Sequence, residues 1–180
     1  RVWPNGTDTE PLPALPAKRL GAPLRLIALA RLAPNKRVDH VLRALALLRE
    51  QGSEAELTVI GWGQDQWRLE AQVNELGLSG AVTFAGRLDD AEKNIELQKA
   101  PLLLHTSMRE GWGLNVIEAN AMGTPAVVYP VGGLVDSTVH GQTGLVSEAE
   151  TPESLAKTIT GLANDPKKYD MMRTEAWQRS

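Results

Sequence analysis

Five short apolar runs alternate along this chain with segments in which apolar residues follow helical spacing. The runs that predict strands cover residues 25–30, 57–60, 82–85, 102–105 and 126–129. Runs this short and continuous are typical of parallel strands that are buried on both faces. Parallel strands need crossover connections, and the helical segments between the runs supply them. The pattern therefore predicts an α/β fold, a doubly wound parallel sheet.

Helix boundaries are marked by glycine, by proline and by capping residues. Apolar positions from Val38 to Leu48 predict a helix that closes at Gly52, and those from Leu69 to Leu76 predict a second helix. Further predicted helix starts lie near Asp89, Leu114, Pro152 and Pro166.

The first 23 residues differ from the rest in composition. They contain five prolines and the Asn5-Gly6 turn signal, which predict a linker-like lead-in over residues 1–23. Residues 24–180 then form one domain of ordinary size, large enough to bury its own core.

Composition disfavours several partners and sites. The net charge of −3 gives no basis for binding nucleic acid or an anionic membrane surface. The absence of cysteine excludes disulfides and thiolate metal sites and is compatible with a reducing compartment. The sequence shows neither an apolar run of about 18 residues nor a secretory signal. We therefore expect no nucleic-acid partner, no transmembrane segment and a cytoplasmic location.

The stretch 110–119 carries two carboxylates, Glu110 and Glu118, eight positions apart with two glycines between them. A helix that begins near Leu114 places Glu110 on the preceding loop and Glu118 in the first turns, where its side chain leans back toward the helix start. The first amides of that helix are unpaired donors at the positive end of its dipole. Carboxylates that accept O–H groups, beside amides that bind an anion, suit a sugar joined to a phosphate.

Arg31, Gly61, Arg87 and Glu110 each follow a different predicted strand. The carboxyl ends of parallel strands meet at one edge of the sheet, and ligands of doubly wound folds bind there. We therefore expect these four positions to converge on one rim.

The stretch 110–119, the segment 121–125 and the pair Gly132-Gly133 resemble, in this order, the C-terminal half of the group 1 retaining glycosyltransferases. That group, family 4 in the usual classification, pairs two Rossmann-like domains in the GT-B architecture. The resemblance extends from about Val2 to the end of the chain. It implies that residues 24–180 are the Rossmann-like donor-binding domain, and that an acceptor-binding domain precedes Arg1. It also implies an exposed Trp177, since the last helix of relatives often crosses to that other domain.

The resemblance assigns roles to particular residues. Arg31 and Lys36 match the paired cations that hold the donor diphosphate, and Glu110 matches the carboxylate that binds hydroxyls of the donor sugar. These three form the expected catalytic set. The other expected donor contacts are the loop and helix start Gly111, Trp112, Gly113 and Leu114, the ribose ligand Glu118, and the nucleobase neighbours Arg87 and Leu88.

Ala30 and Arg37 depart from the family pattern, because both stand where glycine is usual. Ala30 leaves less room for a phosphate, and Arg37 adds a charge with no evident role. No Asp-x-Asp pair and no two histidines four residues apart occur, so no metal site is expected. His105 is the histidine of interest, since it closes a strand just before the loop of Glu110.

The expected donor is a nucleoside-diphosphate sugar linked to uridine, guanosine or adenosine, and no further cofactor is expected. The expected reaction transfers a hexose to a glycan, lipid or small-molecule acceptor held by the other domain. That domain could also bring the enzyme to a membrane surface. Residues 1–180 alone are expected to be inactive.

Three alternatives remain open. A glycan phosphorylase or synthase of the same architecture would be expected to show a cofactor-binding lysine or a longer chain, and neither is seen. A binding-only module that senses a sugar nucleotide is disfavoured by the presence of Glu110, Arg31 and Lys36. A dinucleotide dehydrogenase is disfavoured because no Gly-x-Gly-x-x-Gly follows the first strand.

Overall fold

A computed structural model describes residues 9–180 and contains one six-stranded sheet in which all strands are parallel. The strands are β1 (Leu24–Leu29), β2 (Ala55–Ile60), β3 (Val82–Gly86), β4 (Leu102–His105), β5 (Ala126–Val128) and β6 (Gly144–Val146). Their order across the sheet is β3-β2-β1-β4-β5-β6, so the direction of winding reverses between β1 and β4. The predicted doubly wound parallel sheet is thus confirmed, and ligands of such sheets bind beyond this reversal point.

Helices connect the strands on both faces. They are α1 (Val38–Glu50), α2 (Gln66–Glu75), α3 (Asp90–Lys99), α4 (Leu114–Ala121), α5 (Leu134–Ser137), α6 (Pro152–Ala163) and α7 (Pro166–Arg179), and a 3-10 turn covers Pro34–Lys36. The predicted cap at Asp89 is present, because its carboxylate accepts from the Glu92 amide at 2.8 Å while the Glu92 side chain accepts from the Asp89 amide. The side chain of Thr151 likewise caps α6.

Alternate residues of β1 point into two separate cores. Leu26 and Ala28 contribute to a core shared with α1, α2, α6 and α7. Ile27, between them, contributes to a second core shared with α3 and α4. Because both faces are covered beyond Arg25, which is exposed near the start of β1, the rest of this strand is a continuous apolar run.

The structure adds two elements that the sequence patterns did not predict. Strand β6 has three residues and pairs with β5 through Ala126 and Gly144. Helix α5 is a single turn of four residues. Helix α5 is too short to show helical periodicity, and β6 contains only two apolar side chains, so five strands were predicted where residues 9–180 contain six.

Residues 9–23 contain no strand or helix, yet they pack on the domain. The Leu12 amide donates to the Ala121 carbonyl at 3.0 Å. The Trp177 indole donates to the Leu12 carbonyl at 2.9 Å. The prediction of an exposed Trp177 is therefore wrong: the side chain is half-buried because this segment covers part of it. The Val2–Asp8 part of the resemblance lies outside the described residues.

None of the helices within residues 9–180 is both long enough and apolar enough to cross a membrane.

Candidate functional site

A cleft of about 980 Å³ opens beyond the carboxyl ends of β1, β2 and β4. It is lined by Leu29, Ala30, Arg31, Lys36, Ile60, Gly61, Trp62, Lys93, His105, Glu110, Gly111, Trp112, Gly113, Leu114, Asn115 and Glu118. Eight of the ten expected site residues are among them. The other two, Arg87 and Leu88, follow β3 at the edge of the sheet and lie outside this lining. Their proposed contact with a nucleobase stays a prediction.

Arg37 has a backbone conformation that glycine adopts more easily than other residues. Its backbone is left-handed, with φ 51° and ψ 40°, and it joins the 3-10 turn to α1. A side chain in this region is strained, and glycine avoids the strain. Here the guanidinium compensates: Nε donates to the Thr106 carbonyl at 3.0 Å and Nη2 to the Ser107 carbonyl at 3.3 Å. Nη2 also pairs with the Glu150 carboxylate at 2.5 Å.

Contacts around Arg37 fasten the loop of Lys36 to the loop of Glu110. The Thr106 hydroxyl lies 3.0 Å from the Lys36 carbonyl and 2.9 Å from the Arg37 carbonyl. The Met108 amide donates to the Asn35 carbonyl at 2.8 Å. Two loops that follow different strands are therefore held in one fixed arrangement.

Glu110 lies between two nitrogen donors. Its Oε2 is 2.7 Å from Lys36 Nζ and 3.2 Å from His105 Nε2. The hydrogen bond from His105 and the ammonium of Lys36 outweigh burial and lower the pKa of Glu110 from 4.5 to about 2. The carboxylate is therefore ionised at neutral pH and can accept hydrogen bonds from the hydroxyl or amine groups of a ligand.

The start of α4 faces the cleft without a side-chain cap. Gly113 is the N-cap, and the Asn115 side chain donates to the Leu29 carbonyl at 2.7 Å, which ties the helix start to the end of β1. Below it, Gly133 has φ 81°, and a Cβ there would lie 2.2 Å from the Glu110 carbonyl oxygen. Glycine at 133 is thus needed for the Glu110 loop to take its position. The uncapped amides of α4 remain available to an anion.

Glu118 projects from α4 into the same cleft and pairs with Lys93 of α3. Lys93 Nζ lies 3.1 Å from Glu118 Oε1 and 2.9 Å from Asp90 Oδ1. Burial lowers the pKa of Lys93, but its hydrogen bonds to Asp90 and Glu118 dominate and the net shift is upward. Sequence analysis missed Lys93, because no motif links it to a carboxylate 25 residues later.

The charges of the cleft favour an anion. Arg31, Lys36 and Lys93 supply three cations, while Glu110 and Glu118 supply two carboxylates. Arg31 is exposed, and within residues 9–180 it has no ion-pair partner. Two of the cations are partly neutralised by the carboxylates, so Arg31 is the charge most available to a ligand.

Close backbone packing shapes the other wall of the cleft. A Cβ at Gly61 would lie 1.8 Å from the Ala30 carbonyl oxygen. Only glycine therefore lets the residue after β2 lie this close to the residue after β1. Trp62, the next residue, is 58% exposed and lines the cleft. Sequence analysis placed Gly61 at this edge of the sheet but gave Trp62 no role. Among residues 9–180, no group of three His, Asp or Glu side chains is placed to hold a metal ion.

Comparison with curated proteins gives relatives that act on sugars. The chain is 31% identical over 175 residues to a glycogen synthase of Mycobacterium tuberculosis, covering 97% of this chain and 42% of that protein. It is 30% identical to the 2-deoxystreptamine glucosyltransferase of Streptomyces kanamyceticus, covering 92% of this chain and 45% of that protein. The chain thus spans less than half the length of these relatives.

Solved structures share the fold. Anabaena HepE in complex with UDP and glucose superposes with a TM-score of 0.78 at 24% identity, over 87% of this chain and 43% of that one. The pneumococcal O-GlcNAc transferase GtfA, in complex with UDP and GlcNAc, gives a TM-score of 0.82 at 21% identity, over 94% and 34%. Residues 18–179 match the family described as glycosyl transferases group 1. The order of motifs and the cleft that they line agree with this match, and the chain belongs to the group 1 glycosyltransferases.

Proposed function

We propose that this chain is the donor-binding domain of a retaining glycosyltransferase with the two-domain GT-B architecture. The observation that carries the proposal is the ionised Glu110, held by Lys36 and His105 beside Arg31 and the uncapped start of α4. One cleft thus offers an acceptor for sugar hydroxyls next to donors for a diphosphate. Two relatives, one named a glycogen synthase and the other a glucosyltransferase, support this proposal.

The donor is a nucleoside-diphosphate sugar. Two structural neighbours contain UDP with glucose or with GlcNAc, and one relative is named as GDP-mannose-dependent. In our proposal the diphosphate lies between Arg31, Lys36 and the amides of α4, the hexose lies against Glu110, and the ribose lies against Glu118. The nucleobase then extends toward β2 and β3, where Arg87 and Leu88 follow the edge strand.

Arg31, Lys36 and the start of α4 stabilise the negative charge that develops on the departing diphosphate. The bond from the anomeric carbon to the diphosphate breaks while the acceptor oxygen bonds to the same face of the hexose, and its proton passes to the leaving phosphate. The acceptor, a glycan, a lipid or a small molecule, is held by an N-terminal domain. One relative is named glycogen synthase. The synthase alternative therefore stays open, and in that case the acceptor is a glycan.

Calorimetric titration of residues 1–180 with UDP, GDP, ADP and their sugar conjugates tests the proposal. We expect saturable binding of at least one nucleoside diphosphate and much weaker binding of the corresponding nucleoside. We also expect the same affinity with EDTA and with Mg²⁺, because protein cations face the diphosphate. Failure of every nucleotide to bind would contradict the proposed function.

A sugar-nucleotide sensor without activity would give the same titration. Transfer of a hexose by the full-length protein distinguishes the enzyme from the sensor, and residues 1–180 alone should show none.

A further inference from the structure

His105 is the one deeply buried ionisable side chain in the lining of the cleft, at 4% exposure. It is the last residue of β4, so its backbone is fixed by the sheet. Its Nε2 lies 3.2 Å from Glu110 Oε2 and 3.1 Å from Ser107 Oγ. Its Nδ1 is buried and, within residues 9–180, has no hydrogen-bond partner. Such a histidine needs an explanation, since an unpaired buried polar atom costs free energy.

The partners of His105 determine where its proton is. Glu110 is ionised at neutral pH and can only accept, so a hydrogen bond across the 3.2 Å between the two groups requires the hydrogen on Nε2. The Ser107 hydroxyl can accept from the same N–H. With the hydrogen on Nε2, Nδ1 can be a bare acceptor, whereas a hydrogen on Nδ1 would have no partner within residues 9–180. The site therefore favours the Nε2–H tautomer.

Both contacts of the Glu110 carboxylate fall on one oxygen. Lys36 and His105 approach Oε2, and no described residue bonds to Oε1. The two donors thus hold Oε2 and leave Oε1 available to a ligand in the cleft. The two donors differ in rigidity. Lys36 has a long side chain at the end of the 3-10 turn, whereas His105 has a buried ring at the end of a strand.

A bound diphosphate competes for Lys36, because its charge exceeds that of one carboxylate. When the ammonium turns to the phosphate, Glu110 keeps only His105 as an anchor. We propose that His105 is a positioning residue, whose Nε2–H holds Glu110 so that Oε1 meets the hexose of the bound donor. This inference rests on the proposed function, but it concerns the sugar and not the nucleotide.

The test compares two ligands in matched variants of residues 1–180. The pair is UDP with UDP-glucose or GDP with GDP-mannose, whichever pair the unmodified chain binds. His105→Phe keeps an aromatic ring but removes the donor. His105→Gln can place an amide N–H near the position of Nε2. His140→Gln is the control, because His140 is exposed and does not line the cleft.

We expect His105→Phe to weaken sugar-nucleotide binding about tenfold relative to the free diphosphate, within the range for a hydrogen bond to a charged group. His105→Gln should recover most of this loss, and His140→Gln should change neither ligand. Equal loss for both ligands in His105→Phe, with melting temperature unchanged, would overturn the positioning role. So would no loss for either.

Nitrogen-15 NMR of the histidine ring provides a second readout that needs no ligand. We expect His105 as the Nε2–H tautomer at neutral pH, and Glu110→Gln should shift its Nε2 resonance. An Nδ1–H tautomer, or no response to Glu110→Gln, would contradict the inference. If the unmodified chain binds no nucleotide, the proposed function fails, while this measurement still decides whether His105 holds Glu110.

Discussion

At the scale of single residues, the proposed site divides into groups that we expect to meet the diphosphate and groups that we expect to meet hydroxyls. Arg31 and Lys36 lie on the loop after β1, while Glu110 and Glu118 lie before and within α4. Sequence reasoning could place Arg31 and Glu110 on one rim, since each follows a predicted strand, and the resemblance added Lys36 and Glu118. It could not find Lys93, which reaches Glu118 only because α3 and α4 are neighbours in space.

Replacing either cation should separate diphosphate binding from nucleoside binding. Arg31→Ala and Lys36→Ala should each weaken nucleoside diphosphate binding by about 1.5–3 kcal/mol, the range for hydrogen bonds to charged groups. The bare nucleoside should bind almost as it does to the unmodified chain. Calorimetry with both ligands measures the difference, and equal losses would indicate a structural role instead.

Replacing either carboxylate should separate the sugar from the ribose. Glu110→Gln should leave affinity for the free nucleoside diphosphate almost unchanged, yet slow transfer by the full-length protein roughly 100-fold to 1000-fold. Glu118→Gln should weaken binding of nucleoside diphosphate and sugar nucleotide alike. Melting temperatures are compared first, so that unfolding is not mistaken for lost binding. A larger calorimetric loss in Glu110→Gln than in Glu118→Gln would reverse the assignment.

The lowered pKa of Glu110 makes its contribution to stability depend on pH. Its pKa is about 2 in the folded chain and lies near 4.5 without its partners. The stabilisation is therefore fully present above about pH 5 and is lost as the pH falls toward 2. The difference in unfolding free energy between the unmodified chain and Glu110→Gln should shrink over this range. A difference that is the same at both ends of the range would show that the contacts of Glu110 do not favour its charge.

At the scale of elements, the site depends on how the loop after β1 is joined to the loop after β4. Long strands, capped helices and the α4 motif were predictable because each carries its own local signal. Strand β6 was not, because only two of its residues have apolar side chains, whereas the equally short β5 lies in an apolar run of four residues. The resemblance marked Arg37 as a departure from glycine, but only the structure shows that its guanidinium joins the two loops.

Substitutions at Arg37 should distinguish backbone strain from side-chain contacts. Arg37→Ala loses the contacts to Thr106, Ser107 and Glu150 and keeps a side chain at φ 51°. Arg37→Gly loses the same contacts but relieves the strain, so it should be more stable than Arg37→Ala by about 1 kcal/mol. Denaturant unfolding measures this order. If Arg37→Ala equals or exceeds Arg37→Gly in stability, the left-handed conformation carries no strain.

At the scale of the whole molecule, Lys18 anchors the segment before β1 to the ends of α3 and α4. Its ammonium reaches the carbonyls of Leu97 at 3.0 Å and Met122 at 2.8 Å, near the ends of α3 and α4, and also contacts the Thr124 hydroxyl. The last carbonyls of a helix have no partner within the helix, so an amine that donates at two helix ends stabilises both. Sequence analysis predicted a linker-like segment here and gave no sign of this contact.

Removing the Lys18 amine should loosen this segment without altering the cleft. Lys18→Met keeps much of the length and removes the donor, so we expect a loss of about 1–3 kcal/mol in unfolding free energy. Nucleoside diphosphate affinity should not change at temperatures where the variant is folded. Exposed Arg19 offers the control Arg19→Met. Equal stability of the two variants would mean that Lys18 contributes nothing to the fold.

The central claim is that the cleft beyond β1 and β4 binds a nucleoside-diphosphate sugar. A crystal structure of residues 1–180 with the sugar nucleotide that binds in calorimetry tests it most directly. We predict that the diphosphate lies within hydrogen-bond distance of Arg31, Lys36 and the first amides of α4, with a hexose hydroxyl on Glu110. A sugar nucleotide bound outside this cleft, or bound with its nucleobase against Glu110, would contradict it.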